Sequence, residues 1–114
     1  PDDFAVFAGS ASFLMPSLVM GAKGGTLALA NVAPDLCARI CLLVEQGNLE
    51  EARSVQKSLL RLNNLVTGKY GVAGLKAALD LIGYFGGLPR RPILPVGEKE
   101  KEEIRSALEE LNLI

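Results

Sequence analysis

The sequence predicts an α/β protein that opens with two strand–helix units, continues as helix alone, and is mostly helical over its length. Three observations carry this. Short apolar runs at Phe4–Ala8 and Thr26–Ala30 are each followed by a helix-period segment, the repeat of a parallel α/β fold. From residue 48 to 82 apolar side chains recur at spacings of three and four, the helical period. Residues 4–22 carry no charge while residues 98–110 are dense in it, so the first region is expected to be buried and the last solvated.

Phe4–Ala8 is continuous and apolar and stops at Gly9-Ser10, as a parallel strand buried on both faces would. A helix is expected over Ser12–Met20, with Phe13, Leu14, Leu18 and Val19 on its apolar side. Pro16 fits only in a first turn, so this helix should start later than Ser12; Gly21 closes it. Gly24-Gly25 leads into the second strand, Thr26–Ala30. Pro34 and Asp35 open a helix with the stripe Leu36, Cys37, Ile40, Cys41 and Val44, ended by Gly47. Residues 1–47 thus form one part and residues 48–114 another.

The second part starts at Asn48, an N-cap with Glu51 three residues on. Ala52, Val55, Leu59, Leu62 and Val66 make one amphipathic stripe, ended by Gly68. Gly71–Ile82 carries only Lys76 and Asp80 as charges and is expected to be buried from more than one direction. Gly83 to Gly97 holds four Gly and three Pro and reads as extended chain, with Tyr84 and Phe85 as packing anchors. The last helix, Glu98–Leu111, has an acidic first turn and a stripe of Ile104, Leu108 and Leu111.

The 114 residues suffice for one core, and 49% of them are hydrophobic. So apolar a chain is expected to pack against protein beyond itself. Its net charge of −1 argues against a nucleic-acid partner. The uncharged run is broken by Gly9, Pro16 and Gly21 and lacks a basic flank, so neither a membrane span nor a signal peptide is expected. The chain starts at Pro1 rather than Met, and its natural start is expected upstream. Two parallel strands leave an unpaired edge on each side, so further strands should come from a longer chain, another subunit or a domain swap.

Parallel α/β folds gather their sites at the C-terminal ends of strands, here Gly9-Ser10-Ala11 and Ala30-Asn31-Val32. Gly9 permits close backbone approach and Ser10 offers a hydroxyl, though a plain turn capped by Ser10 reads equally from the residues. Lys23 precedes its strand and belongs to the opposite end, where it reads as a solvated loop residue. Arg90-Arg91 reads as a solvated pair near a turn. Cys37 and Cys41, one helical turn apart with no His in the chain, fit neither a disulfide nor a metal site. The absence of His also excludes Ser–His and Cys–His catalysis within these residues. No catalytic residue, metal or cofactor is expected.

The stretch FAVFAGSASFLMPSLVMGAKGGTLALANVAP, then GNLEEARSVQKSLL and GVAGLKAALDLIGYFGGLPRRPILPV, resembles the dihydrodipicolinate synthase / N-acetylneuraminate lyase family. AGSASFLM, GGTLALANV and GLKAALDLIGYFGG are most similar to its 4-hydroxy-2-oxoglutarate aldolase branch. The resemblance implies the C-terminal part of a (β/α)8 TIM barrel, strands seven and eight with their helices, plus a C-terminal helical extension. It implies class I aldolase chemistry, in which a lysine forms a Schiff base with pyruvate or a related 2-oxo acid. That lysine belongs upstream of Pro1, and none of the six lysines here matches it. The resemblance further implies substrate-binding roles for Gly9, through its backbone, for Ser10, toward the distal part of the substrate, and for Thr26, through its main-chain oxygen. Gly25-Thr26 departs from the Val or Ala followed by a β-branched aliphatic residue that many members carry. A homo-oligomer in the cytosol is implied, or in the mitochondrial matrix for the branch.

Three readings follow: an aldolase fragment inert alone, a self-associating helical interaction module, or half of a split enzyme. The uncharged segment and the two strand edges predict that the isolated chain self-associates. Sedimentation across a concentration series should show assembly; a concentration-independent monomer with well-dispersed amide signals would count against it.

Overall fold

The computed structural model describes residues 3–114, which divide into a first unit ending at Leu60 and a second, Arg61–Ile114. In the first unit, β1 (Phe7–Ala8) and β2 (Gly24–Gly25) pair in parallel with Phe7 opposite Gly24 and Ala8 opposite Gly25. Lys23 N–H donates to Val6 O and Thr26 N–H to Ala8 O, each at 2.8 Å, extending the ladder at both ends. The parallel pairing is as expected, but both strands are shorter than the apolar runs, and β2 lies upstream of Thr26–Ala30. Ala28–Asn31 instead forms a 3-10 turn that drives Leu29 fully into the core. Alternating Leu and Ala over five residues suits a strand and a tight turn equally, and the glycine pair does the pairing. A Cβ on Gly25 would lie 2.7 Å from Leu27 Cδ2 and 3.1 Å from Leu14 Cδ1, so a larger residue there must displace these leucine side chains.

The expected burial of Phe4–Ala8 on both faces is not found. Phe4, Val6 and Phe7 are 71%, 57% and 56% exposed, and only Ala8 is buried. A two-residue pair cannot cover both faces of its own strands; parallel strands need neighbours and helices on each side.

A 3-10 turn, Ala11–Phe13, precedes α1 (Leu14–Val19). Pro16 thus falls in the first turn, where its missing N–H costs no helical hydrogen bond. Of the expected apolar side only Leu14 is fully buried, while Phe13 and Val19 are about half exposed. Gly21, at φ +101°, ends the helix, with Ala22 N–H reaching Ser17 O at 2.9 Å. Next, α2 (Pro34–Glu45) has Pro34 at its first position and buries Cys37, Ile40 and Leu43. Both cysteines are free, and burial pushes both thiols up. The cap of α3 (Leu49–Ser58) is as expected. Asn48 Oδ1 accepts from Glu51 N–H, and Asn48 Nδ2 donates to the Glu51 carboxylate at 3.0 Å. Glu51 also pairs with Arg39 of α2.

The stripe Ala52, Val55, Leu59, Leu62 and Val66 is buried throughout, but the helix beneath it is not continuous. α4 (Leu60–Asn63) follows a break at Leu59, and residues Asn64–Lys69 form a π-helical turn. Ser58 Oγ donates to Val55 O at 2.8 Å and Thr67 Oγ1 donates to Asn63 O. Such back-bonding competes with the helix ladder and bends it. Tyr70 N–H bonds Leu65 O, the five-residue step of a π-turn, and this widening buries the consecutive Leu65 and Val66.

The second unit continues with α5 (Gly71–Leu81), whose buried face is Ala73, Gly74, Ala77 and Ala78. It packs against both the π-turn and the last helix, as expected of a helix buried from more than one direction, with Leu75, Leu79 and Leu81 part-buried and Val72 half exposed. Small residues allow close packing; a Cβ on Gly74 would sit 2.9 Å from Leu65 O. Residues 83–97 run extended, as expected, with a turn at Arg91-Pro92 and both arginines exposed. Tyr84 and Phe85 are not packing anchors here, being 71% and 92% exposed. The backbone of Gly86 anchors the segment instead. Its carbonyl accepts from Lys76 Nζ at 2.6 Å and its N–H donates to Asp80 Oδ1 at 2.7 Å. The last helix, α6 (Glu98–Glu110), buries Ile104, Ala107 and Leu108. Glu103 accepts from Lys69 Nζ and Tyr70 Oη, and the lysine beside it holds its carboxyl below the usual range. Arg61 pairs with Glu110.

A Cβ on Gly86 would fall 1.9 Å from the Lys76 carbonyl oxygen, which the helix cannot move. Gly86→Ala should therefore cost at least about 2 kcal/mol by overpacking. Urea denaturation measures this, and an unchanged midpoint would show that the segment is not seated on α5.

Candidate functional site

The candidate site is the C-terminal edge of the β1–β2 pair. Since Ala8 lies opposite Gly25 and Thr26 N–H donates to Ala8 O, the parallel register carries Gly9 and Thr26 onward as neighbours. Both are exposed, and a Cβ on Gly9 would meet nothing within 4 Å. Ser10 follows with extended backbone, φ −148° and ψ 143°, and caps the 3-10 turn by accepting from Ser12 N–H at 3.2 Å. Gly9, Ser10 and Thr26 therefore come together at one open edge.

The second expected loop, Ala30-Asn31-Val32, lies farther along. Asn31 Nδ2 donates to Ala28 O at 3.0 Å, which spends its side chain on closing the 3-10 turn. Lys23 is exposed at the opposite, N-terminal end of β2.

No titratable side chain stands among Gly9, Ser10 and Thr26. The edge offers N–H groups, carbonyls and hydroxyls, which can bind and orient a polar ligand but supply no strong base. Among the described residues no group of three His, Cys, Asp or Glu side chains could hold a metal ion. No helix among them is long and apolar enough to cross a membrane. An open depression of about 400 Å³ is lined by apolar residues including Val6, Phe13, Pro16 and Met20, and none of the three site residues borders it.

The residue that sequence reasoning missed is Gln56 of α3, only 7% exposed. Its Nε2 donates to Ala11 O at 2.7 Å and to Ser12 O at 3.3 Å, and its Oε1 accepts from Met15 N–H at 2.9 Å. The signal was present in the sequence. Gln56 lies four residues after Ala52 and three before Leu59, an amide beside the apolar stripe, and a buried amide requires partners.

A parallel strand–helix repeat whose two strands end together at a glycine and hydroxyl edge defines the α/β class that binds ligands at its strand ends. The chain belongs to the dihydrodipicolinate synthetase family, whose model matches residues 1–111. It is 32% identical over 114 residues to a 4-hydroxy-tetrahydrodipicolinate synthase of Archaeoglobus fulgidus, covering 100% of this chain and 39% of that protein. It is 38% identical over 108 residues to an L-threo-3-deoxy-hexylosonate aldolase of Hypocrea jecorina, covering 94% of this chain and 32% of that one. The solved dihydrodipicolinate synthase of Thermotoga maritima superposes with a TM-score of 0.90 at 32% identity, over 99% of this chain and 38% of its own. The chain thus spans about two-fifths of the length of such relatives.

The open space at Gly9 and the crowding at Gly25 make opposite predictions. Gly9→Ala should leave stability within about 0.5 kcal/mol of the parent, whereas Gly25→Ala should cost about 1–3 kcal/mol. Parallel denaturation curves check both, and equal losses would contradict the placement of β2 against Leu14 and Leu27.

Proposed function

We propose that these residues are the C-terminal fragment of a Schiff-base-forming aldolase or lyase acting on pyruvate or a related 2-oxo acid, of 4-hydroxy-2-oxoglutarate aldolase or dihydrodipicolinate synthase type. The observation that carries this is the family match across residues 1–111 in a chain that spans about two-fifths of its relatives. In this reading β1 and β2 are strands seven and eight of a (β/α)8 barrel. Residues 1–47 are its last two strand–helix units, and residues 48–114 are the closing helix and the extension.

The reaction starts when a lysine amine from the upstream part attacks the 2-oxo carbonyl and expels water. The resulting imine withdraws electrons, so a C3 proton or carbon–carbon bond can be lost or exchanged. Gly9 and Thr26 line the pocket through their backbones, and Ser10 meets the distal part of the substrate. The complete enzyme is a homo-oligomer in the cytosol. The chain alone is inert, because it supplies orienting groups and no nucleophile at the strand ends; the position of Lys23 before β2 supports this. The exposure of Phe4, Val6 and Phe7 also favours a second reading, a self-associating module, and half of a split enzyme is a third. The mass of the natural gene product separates the first from the other two, and the oligomer size of this chain separates a monomeric module from an assembling fragment.

Treating the isolated chain with pyruvate and borohydride should leave its intact mass unchanged. A pyruvyl adduct on one lysine would overturn the fragment reading, and Lys23 would be the first residue to replace.

A further inference from the structure

We infer that Gln56 is a positioning residue for the substrate edge, holding the Ser10 hydroxyl in register through the turn that follows it; this rests on the aldolase reading above. The turn Ala11–Phe13 and the first residues of α1 hang from one carboxamide. Gln56 donates to two carbonyls, Ala11 O and Ser12 O, and accepts from Met15 N–H, across sequence separations of 41 to 45 residues. Ser12 carries the link onward. Its carbonyl faces Gln56 and its N–H donates to Ser10 Oγ at 3.2 Å. Two hydrogen bonds therefore connect a buried amide on a capped helix to the hydroxyl at the strand end.

This link acts on Ser10 beside the backbone bond from Phe13 N–H to Ser10 O at 3.4 Å. Gly9 has open space where a side chain would stand, and no Cβ wedges the backbone there. β1 ends at Ala8, so past that point the ladder no longer holds the chain. The carboxamide is matched to its task because it is a donor and an acceptor at once. An apolar side chain would leave Met15 N–H without this acceptor and strip a donor from Ser12 O and from Ala11 O, which also accepts from Leu14 N–H, and a carboxylate would set oxygen against oxygen. Neither would touch the upstream lysine, so the step before the distal substrate arrives should be spared.

The test uses the complete enzyme carrying these residues, as wild type, Gln56→Met and Gln56→Glu. Gln56→Met keeps the volume and removes both polar groups; Gln56→Glu keeps the acceptor toward Met15 and loses the donor. Three quantities are read: the rate of pyruvate trapping by borohydride, kcat and KM for the aldehyde partner, and the melting temperature. The expected result is pyruvate trapping close to wild type with KM for the aldehyde raised on the order of tenfold, the scale of a small misplacement. A purely structural role would lower the melting temperature and the active fraction, reducing kcat at unchanged KM, and would overturn the inference. If Gln56→Met does not fold, Gln56→Glu decides alone, and a wild-type KM in it has the same force. A wild-type enzyme that traps no pyruvate would instead sink the aldolase reading, and the substrate role of Gln56 with it.

Discussion

The first unit depends on a buried carboxamide meeting three backbone groups. A strand that ends in a short turn and restarts as a helix leaves carbonyls and amides unpaired just where the core begins, and Ala11 and Leu14 are both buried there. Unsatisfied, each would cost on the order of 1–3 kcal/mol. Gln56 meets Met15 N–H and Ser12 O, and adds a second donor to Ala11 O beside Leu14 N–H, with one side chain from α3. The consequence reaches beyond stability, because the same turn holds Ser10 and follows Gly9. The elements that pack and the residues that can bind a ligand are joined at that amide.

A second constraint is exposure. The apolar side chains of Phe4, Val6 and Phe7 face solvent, although their composition suits a strand covered on both sides. Parallel strands gain their stability from neighbours on each edge and helices on each face. Here one partner strand and α1 supply part of that cover. The apolar depression beside Val6, Phe13 and Met20 is the same deficit seen from the helix side. In the second unit Tyr84, Phe85, Leu88 and Leu94 are also exposed, along a segment seated by its backbone rather than its side chains. Both units thus leave large apolar side chains in solvent beside cores that bury Leu14, Leu29 and Ile40 in the first and Leu62, Ile104 and Leu108 in the second.

Much of this was legible in the residues. The order of elements, the parallel pairing, the Asn48–Glu51 cap, the late start forced by Pro16 and the buried stripe from Ala52 to Val66 all follow from local chemistry that tertiary context did not override. The misses have a common cause. Thr26–Ala30 has the pattern of a strand, and alternation cannot distinguish a strand from a turn that buries one leucine. The break at Leu59 and the π-turn arise from Ser58 and Thr67 bonding back to the helix, a competition that apolar spacing does not report. Tyr84 and Phe85 look like anchors by composition, yet a glycine with no side chain holds the segment. Apolar periodicity does not report Gln56 or Asn63, the buried amides beside the stripe.

The chemistry of the edge sets what these residues can contribute. Gly9, Ser10 and Thr26 present hydrogen-bonding groups whose protonation does not change in the ordinary pH range, so they cannot take up a proton in a rate-limiting step. Groups of that kind act by fixing a ligand against a reactive centre, and their value scales with how rigidly they are held. Rigidity here draws on the ladder, which ends with Thr26 N–H on Ala8 O, and on the Gln56 carboxamide beyond Ala8. In the aldolase reading proposed above, nucleophile and holder lie on different parts of one fold. The holder does not depend on any charge of its own, so its geometry should be indifferent to the pH that governs the nucleophile.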